Sequence, residues 1–192
     1  MVEDTLRDEQ DTLIERLKMR VLASPFVPPK YSWYKHQANP PVTATELAQA
    51  EALLGFPLPP LLKSIYLEVG NGGFGPGYGL FRLHNEEDPG ALRTDSLITT
   101  YLALRSLTPE QFTRYWVNGE DEDKSRPRVW PEKVVMICEW GCNIYSYLDC
   151  STFGCPVLRL DHNTSMRKLT PESPSFSQWL DDWLHEWESG EQ

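Results

Sequence analysis

Six glycines lie among the ten residues from position 70 to position 79, where the chain reads Gly-Asn-Gly-Gly-Phe-Gly-Pro-Gly-Tyr-Gly. Glycine lacks a Cβ atom and adopts backbone angles that other residues avoid, so a segment this rich in glycine is irregular. A helical apolar pattern ends where this glycine-rich segment begins, and residues 79–83 read as a short strand. The sequence therefore predicts a corner at which the chain passes from a helix to a strand.

The same corner contains the spacing G-x-G-x-x-G at Gly70, Gly72 and Gly75. In dinucleotide-binding proteins this spacing follows a strand and opens a helix, so that the pyrophosphate meets the helix N-terminus. Here the order is reversed, because a helix precedes the glycines and Pro76 and a strand follow them. The spacing therefore indicates a structural corner, and we expect no cofactor.

The first 41 residues differ in pattern from the rest. Residues 5–22 carry leucines and a valine at helical spacing among charged residues, which predicts a helix. Five prolines follow between residues 25 and 41, together with the aromatic residues Trp33 and Tyr34. Proline lacks a backbone N–H and excludes regular structure there. We predict an N-terminal helix and a proline- and aromatic-rich arm over residues 1–41, and the main domain over residues 42–192.

Helices dominate the first half of the main domain. Thr43 and Glu46 have the spacing of a capping box, in which each side chain bonds the other residue's free backbone N–H. Gly55 suits a left-handed helix end, and Pro60 favours the start of a second helix. Further helices are predicted over residues 95–105 and from Thr108 onward. The residues predicted to face inward are Leu47, Ala50, Leu54, Leu62, Ile65, Tyr66, Val69, Leu97, Ile98, Tyr101, Leu102, Phe112, Tyr115 and Trp116.

Strands and a terminal helix are predicted in the second half. Residues 134–139 and 144–148 are rich in apolar and β-branched side chains around a turn at Trp140–Gly141, which is typical of a hairpin. Residues 155–160 read as another strand. Ser175 and Gln178 have a second capping-box spacing, and an amphipathic helix follows with Phe176, Leu180, Trp183, Leu184 and Trp187 inward. These patterns predict a single α+β domain.

The formal net charge of −10 limits the classes of partner. Such a chain repels nucleic-acid phosphates and anionic lipid headgroups, so we expect neither direct nucleic-acid binding nor membrane binding. A basic protein is the partner class that this charge favours. The N-terminus lacks the pattern of a signal peptide, and no apolar run approaches the roughly 20 residues that span a bilayer. We therefore expect a cytoplasmic protein with free thiols.

Residues that could carry chemistry do not form a familiar motif. The cysteines Cys138, Cys142, Cys150 and Cys155 have spacings that match no common zinc pattern, although those near strand ends could form a disulfide under oxidising conditions. No serine lies in a G-x-S-x-G turn. A hydrolase that uses Asp161, His162 and a cysteine stays open as an alternative, since catalytic groups converge by geometry and not by sequence order.

Four stretches resemble the SUKH superfamily, the SMI/KNR-type domain. They are the helix-glycine-proline pattern with Glu51, Gly55 and Pro59, the glycine-rich corner over residues 68–80, the hairpin over residues 140–150 and the terminal helix. The resemblance covers about residues 42–188, whereas the arm before it and residues 93–130 match no motif. It implies a curved, mostly antiparallel sheet flanked by helices, and no enzyme. Many bacterial members of the family look like immunity proteins that neutralise a toxin, often a nuclease, and fungal relatives act as interaction hubs.

The function expected from the residues and the resemblance together is that of a non-catalytic immunity protein for a basic toxin domain. A general interaction scaffold without a toxin is the alternative. Acidic clusters can dock a basic partner or merely form solvated faces. The partner-binding residues predicted from these clusters and from the aromatic arm are Glu86, Glu87, Asp88, Glu120, Asp121, Glu122, Asp123, Trp33 and Tyr34. The acidic region after Asp181 is a further cluster, and the alternative role of the two arm aromatics is to fix the arm to the core.

Overall fold

The computed structural model describes residues 2–23, 37–84, 96–116, 129–164 and 167–189, and within these ranges it describes the side chains of all residues except 2–7, 113–116 and 187. Within these ranges, four antiparallel strands form one sheet in the order β1-β2-β3-β4. The strands are β1 (Val134–Gly141), β2 (Ile144–Asp149), β3 (Val157–Asp161) and β4 (Thr170–Ser173). The helices are α1 (Val2–Leu22), α2 (Ala44–Leu54), α3 (Pro60–Ser64), α4 (Leu97–Arg105), α5 (Pro109–Trp116) and α6 (Phe176–Glu188). The predicted α+β class, with an antiparallel sheet flanked by helices, is confirmed.

The predicted hairpin forms β1 and β2. Its two turn residues, Cys142 and Asn143, both have positive φ angles of 49° and 60°, and Gly141 pairs with Ile144. This is the two-residue turn whose twist matches that of the flanking strands. The predicted third strand is β3, which begins at Val157 and not at Cys155. Cys155 has a φ of 50° and Pro156 has no N–H, so both belong to the turn before the strand.

Two strand predictions differ from the structure. The strand predicted over residues 79–83 is wrong, because only one isolated bridge joins Leu80 to Cys138 of β1. Positive φ at Gly77 and Gly79 prevents a regular ladder, although the Phe81 N–H still donates to the Ile137 carbonyl at 2.8 Å. Strand β4 was not predicted. It is short, lies at the sheet edge and contains Pro171, so its sequence has little strand character.

The capping predictions are largely confirmed. Thr43 forms both bonds of its capping box with Glu46, and Gly55 ends α2 with a φ of 79°. Helix α3 continues into a π-helical turn, Ile65–Val69, whose end is marked by the bond from the Gly70 N–H to the Ile65 carbonyl at 3.0 Å. At α6 only half of the predicted box forms. The Gln178 N–H donates to Ser175, but the Gln178 side chain donates to Asp182 instead.

One hydrophobic core joins the helices to the sheet. Alternation along β2 places Tyr145 and Tyr147 on the face toward α4, and Ser146 and Leu148 on the face toward α6. Helix α1 contributes Leu13, Ile14 and Leu17 to the same core. The predicted inward residues with described side chains are buried, except Leu102, which is exposed at the edge of the α4 stripe, and Trp183, which is half-buried. Tyr115, Trp116 and Trp187 have no described side chains.

No helix in the described ranges is both long and apolar enough to cross a membrane. The division of the chain between residues 1–41 and 42–192 stays a prediction.

Candidate protein-binding surface

The loop between β2 and β3 presents a phenylalanine to solvent. The side chain of Phe153 is 91% exposed, the largest exposure among the large hydrophobic residues that the structure describes. Water-exposed aromatic surface of this size is worth roughly 1.5–3 kcal/mol when a partner buries it. Phe153 therefore has the chemistry of an anchor residue in a protein interface.

The loop is held rigid by Asp149. One carboxylate oxygen of Asp149 accepts the Ser151 N–H at 2.9 Å and the Ser151 hydroxyl at 2.5 Å, and the other accepts the Thr152 hydroxyl at 2.8 Å. The Cys155 N–H closes the turn on the Thr152 carbonyl at 3.0 Å. Burial alone would raise the pKa of Asp149, but the hydrogen bonds from Ser151 and Thr152 lower it below its ordinary value. A loop braced in this way loses little entropy when a partner binds it.

The same loop contacts the start of α6. The Gly154 carbonyl accepts the Phe176 N–H at 3.2 Å, and a Cβ at Gly154 would lie 3.7 Å from the Ser175 side chain. The next residues of α6, Ser177 and Gln178, line a cleft between α6 and α1. The backbone bond at Gly154 therefore connects the Phe153 loop to the first turn of α6, the helix that forms one wall of the cleft.

The cleft between α1 and α6 is acidic. It has a volume of about 450 Å³ and is lined by Asp8, Glu9 and Asp181, with Thr12, Leu13, Arg16, Ser177 and Gln178. Asp8 and Glu9 are exposed on α1, and Asp11, Asp182 and Glu186 lie exposed on the same two helices. A cleft bordered by carboxylates favours the approach of lysine and arginine side chains.

Arg16 neutralises part of this charge and joins the two helices. Its guanidinium donates to Asp181 and, at 3.0 and 2.9 Å, to both carboxylate oxygens of Glu188. These bonds, first from Glu188 and then from Asp181, raise the pKa of Arg16, and the bond from Arg16 lowers the pKa of Glu188. A neighbouring contact places the Arg20 guanidinium 5.5 Å from the ring centre of Trp183. Asp181 and Glu188 therefore serve helix packing, whereas Asp8 and Glu9 face the cleft.

A second groove lies between α4 and the sheet. It has a volume of about 350 Å³ and is mainly apolar, with Met136, Tyr145, Tyr147 and His162 on its sheet side. The rings of His162 and Tyr145 meet edge to face at 5.7 Å. Burial lowers the pKa of His162 and the charge of Arg167 lowers it further, against a smaller opposite effect of Asp161.

The residues of the hydrolase alternative are engaged in a turn. The Asp161 carboxylate accepts the Asn163 N–H at 2.8 Å and the Asn163 side-chain amide at 2.9 Å. This amide also donates to the Cys142 carbonyl. Within the described ranges, no group of three or more histidine, cysteine or acidic side chains converges as a metal site.

The buried polar side chains near the tryptophans stabilise the sheet. The Trp140 indole N–H donates to Ser146 at 2.7 Å, and Ser146 donates to Glu172 at 2.6 Å. The Trp179 indole of α6 donates to the other oxygen of Glu172 at 3.3 Å, and Arg159 completes the cluster at 3.4 Å. Because each group is satisfied by another, this cluster holds α6 on the sheet.

The predicted partner-binding residues lie outside the described residues. These are Glu86, Glu87, Asp88, Glu120, Asp121, Glu122, Asp123, Trp33 and Tyr34. Of the acidic regions, only the one beginning at Asp181 is described. Phe153 was missed, although an aromatic residue flanked by Ser, Thr and Gly between two strands is a signal that the sequence contains. The cleft has no such signal, because its two walls are more than 160 residues apart in the chain.

The sequence model of the SMI1 / KNR4 family (SUKH-1) matches residues 41–182. The chain belongs to the SMI1/KNR4 (SUKH-1) family. This confirms the resemblance stated from the sequence and supports a protein-interaction domain. No curated protein matches the chain significantly. In this SMI1/KNR4 domain, Phe153 and the α6 wall of the cleft lie inside the matched region, whereas Asp8 and Glu9 of the α1 wall precede it.

Proposed function

We propose that this SMI1/KNR4 domain is an immunity protein, which binds a toxin domain and blocks it without catalysing a reaction. Family membership is the observation that carries the proposal, since it supports a protein-interaction domain. The net charge of −10 favours a toxin of opposite charge, and nucleases commonly carry a positive surface to hold nucleic acid. The toxin proposed here is therefore a basic domain that acts in the cytoplasm.

The proposed contacts are the exposed Phe153 and the acidic cleft between α1 and α6. Phe153 would enter an apolar pocket, while Asp8 and Glu9 would meet lysine or arginine side chains around it. An interface of standard size buries about 800 Å² on each partner. Further contributions to the interface are proposed from the acidic clusters at residues 86–88 and 120–123 and from the aromatics Trp33 and Tyr34.

The experiment is to identify any toxin gene beside the gene of this protein and to co-express the two. Growth of a susceptible host should be restored when both genes are expressed, and the two purified proteins should form a complex by size-exclusion chromatography. A matched variant with Leu53→Ala, an exposed side chain on α2, should protect as well as the natural chain. Continued killing by a neighbouring toxin that the chain does not bind would favour the general interaction scaffold instead.

A further inference from the structure

Two of the cysteines flank the Phe153 loop at its neck. Strands β2 and β3 pair Tyr147 with Leu158 and Leu148 with Val157. The ladder continues one step further, because the Asp149 N–H donates to the Pro156 carbonyl at 3.1 Å. Each step toward the loop moves one residue forward in β2 and one residue back in β3. One further step along the chain reaches Cys150 and Cys155, which flank the four loop residues 151–154.

This position suits a disulfide. In an antiparallel ladder, hydrogen-bonded pairs alternate with pairs that share no ladder bond. Asn143–His162 at one end and Asp149–Pro156 at the other are hydrogen-bonded. Residues 150 and 155 come directly after a bonded pair, so they correspond to a position without ladder bonds. The Cα atoms of such pairs lie about 4.5 Å apart, inside the range of roughly 4.4–6.8 Å that a disulfide spans. Cys150 follows the pleat of Leu148, whereas Cys155, with a φ of 50°, lies in the turn two residues before Val157. Their thiols also lie close enough to interact electrostatically.

The other two cysteines are placed differently. Cys138 is fully buried in β1, and its thiol donates to the Pro76 carbonyl at 3.0 Å. Cys142 lies in the turn at the opposite end of β2, eight residues from Cys150, which is roughly 26 Å along an extended strand. Only Cys150 and Cys155 are therefore positioned to react with each other.

We propose that Cys150 and Cys155 are an oxidisable dithiol that forms a disulfide across the neck of the Phe153 loop. The oxidant is a low-molecular-weight disulfide such as glutathione disulfide. The Cys155 thiolate attacks one sulfur of glutathione disulfide, whose S–S bond breaks and releases one glutathione. The Cys150 thiolate then attacks the Cys155 sulfur and releases the second glutathione. The protein loses two electrons and two protons, and two glutathione molecules gain them.

The surroundings of the pair determine its rate. Burial raises the pKa of both thiols, and the negative charge of Asp149 raises both further. Cys155 also raises the pKa of Cys150, whereas Lys133 lowers it, and the Tyr66 phenol faces Cys150 from the π-helical turn. Because the thiolate is the nucleophile, the reaction should be slow at pH 7 and should accelerate by about tenfold for each pH unit below these pKa values. The pair therefore closes under sustained oxidation and does not respond rapidly.

The test is to incubate the native, full-length protein with glutathione disulfide and map the products. Chymotrypsin cleaves after Leu148, Phe153 and Leu158, so the peptides of residues 149–153 and 154–158 separate unless a disulfide joins them. We expect the joined species without reductant, two hydrogens lighter than the separate peptides, and its loss after reduction. The Cys142→Ser variant should give the same product in the same yield.

Peptide mapping of the natural chain does not depend on whether any variant folds. The Cys150→Ser and Cys155→Ser variants, with circular dichroism as a check on folding, should lose the joined species and keep a glutathione adduct on the remaining cysteine. A disulfide that involves Cys142 would overturn the proposal. Separate peptides that carry stable glutathione on Cys150 or Cys155 in the natural chain would overturn it as well.

Discussion

Arg16 of α1 binds Glu188 of α6 through two parallel hydrogen bonds of 3.0 and 2.9 Å, across 172 residues of sequence. Arg16 also bonds Asp181, which lies two turns earlier on the same face of α6. The N-terminal helix, which precedes the region matched by the family, is thus joined to the terminal helix inside that region. The paired geometry orients α1 so that Asp8 and Glu9 border the cleft.

The Arg16→Ala variant tests this connection. Truncation removes three hydrogen bonds at a partly exposed site, so the free energy of unfolding should fall by about 1 kcal/mol, as for other paired surface charges in good geometry. Urea unfolding measures the change, and Lys168→Ala, at an exposed lysine, serves as the control. A double-mutant cycle with Glu188→Ala should give a coupling energy clearly above zero. Strictly additive losses would mean that the pair does not stabilise the contact between α1 and α6.

Two glycines with positive φ should respond differently to alanine. A Cβ at Gly72 would lie 2.5 Å from the Leu80 carbonyl and 2.6 Å from the Phe81 carbonyl, whereas a Cβ at Gly55 meets nothing within 4 Å. Gly55→Ala should cost only the left-handed strain of about 1 kcal/mol, while Gly72→Ala should cost several kcal/mol because backbone must move. Thermal unfolding compares the two variants. Equal losses would show that strain alone, and not the close approach, requires glycine at the corner.

The larger substitutions Gly72→Val and Gly141→Val should also lower the melting temperature, since a Cβ at Gly141 would overlap the Tyr78 hydroxyl. We expect these glycines to be structural. A variant that kept its melting temperature but lost partner binding would contradict that assignment.

The Asp149 carboxylate should make the stability of the β2–β3 loop depend on pH. Its folded pKa is lowered, so its contribution is present above the unfolded value near 3.8 and is lost as pH falls through the folded value. The natural chain should therefore be more stable than Asp149→Asn at pH 7, and the difference should shrink below about pH 4. Urea unfolding of both chains across this range measures it. A difference that stayed constant down to pH 2 would show that the charge of Asp149 does not brace the loop.

The elements that the sequence predicted best are those whose signals are local. Thr43 and Glu46 lie three residues apart and form their box within one helical turn. The hairpin of β1 and β2 follows from apolar strands around a short turn. In contrast, β4 depends on pairing with β3, and its own residues, which include Pro171, favour no strand.

The candidate surface was harder to predict for a related reason. Its cleft exists only because Arg16 and Asp181 meet in the folded chain, and no local pattern encodes that meeting. The exposure of Phe153 depends on the Asp149 bonds that turn the loop outward. The sequence shows the acidic runs clearly, but it does not show which of their carboxylates form ion pairs within the protein. Glu188, for example, is paired with Arg16.

Phe153→Ala should weaken partner binding while leaving the fold unchanged. Because Phe153 is almost fully exposed, its loss should change the free energy of unfolding by less than about 0.5 kcal/mol. If the toxin buries the ring, the Kd should rise by roughly 10- to 150-fold, which corresponds to 1.5–3 kcal/mol. Isothermal titration calorimetry with the toxin identified by co-expression measures the change, with Leu53→Ala as the matched control. Unchanged affinity for a toxin that the natural chain does bind would remove Phe153 from the interface and leave the immunity proposal intact.

Neutralising the α1 wall of the cleft should act mainly on the rate of association. Asp8 and Glu9 are exposed, so Asp8→Asn with Glu9→Gln should leave the fold stable while removing two negative charges that face a basic partner. Exposed charges steer encounter more than they hold the complex, so kon should fall severalfold at low salt and the dissociation rate should change little. The effect should vanish as added salt shortens the screening length. Stopped-flow binding at several salt concentrations measures both rates.

The control for the cleft variant is Glu110→Gln, which removes one exposed charge on α5, outside the cleft. A loss of kon that persists at 1 M salt, where the screening length is about 3 Å, would assign these residues to a direct contact and not to steering.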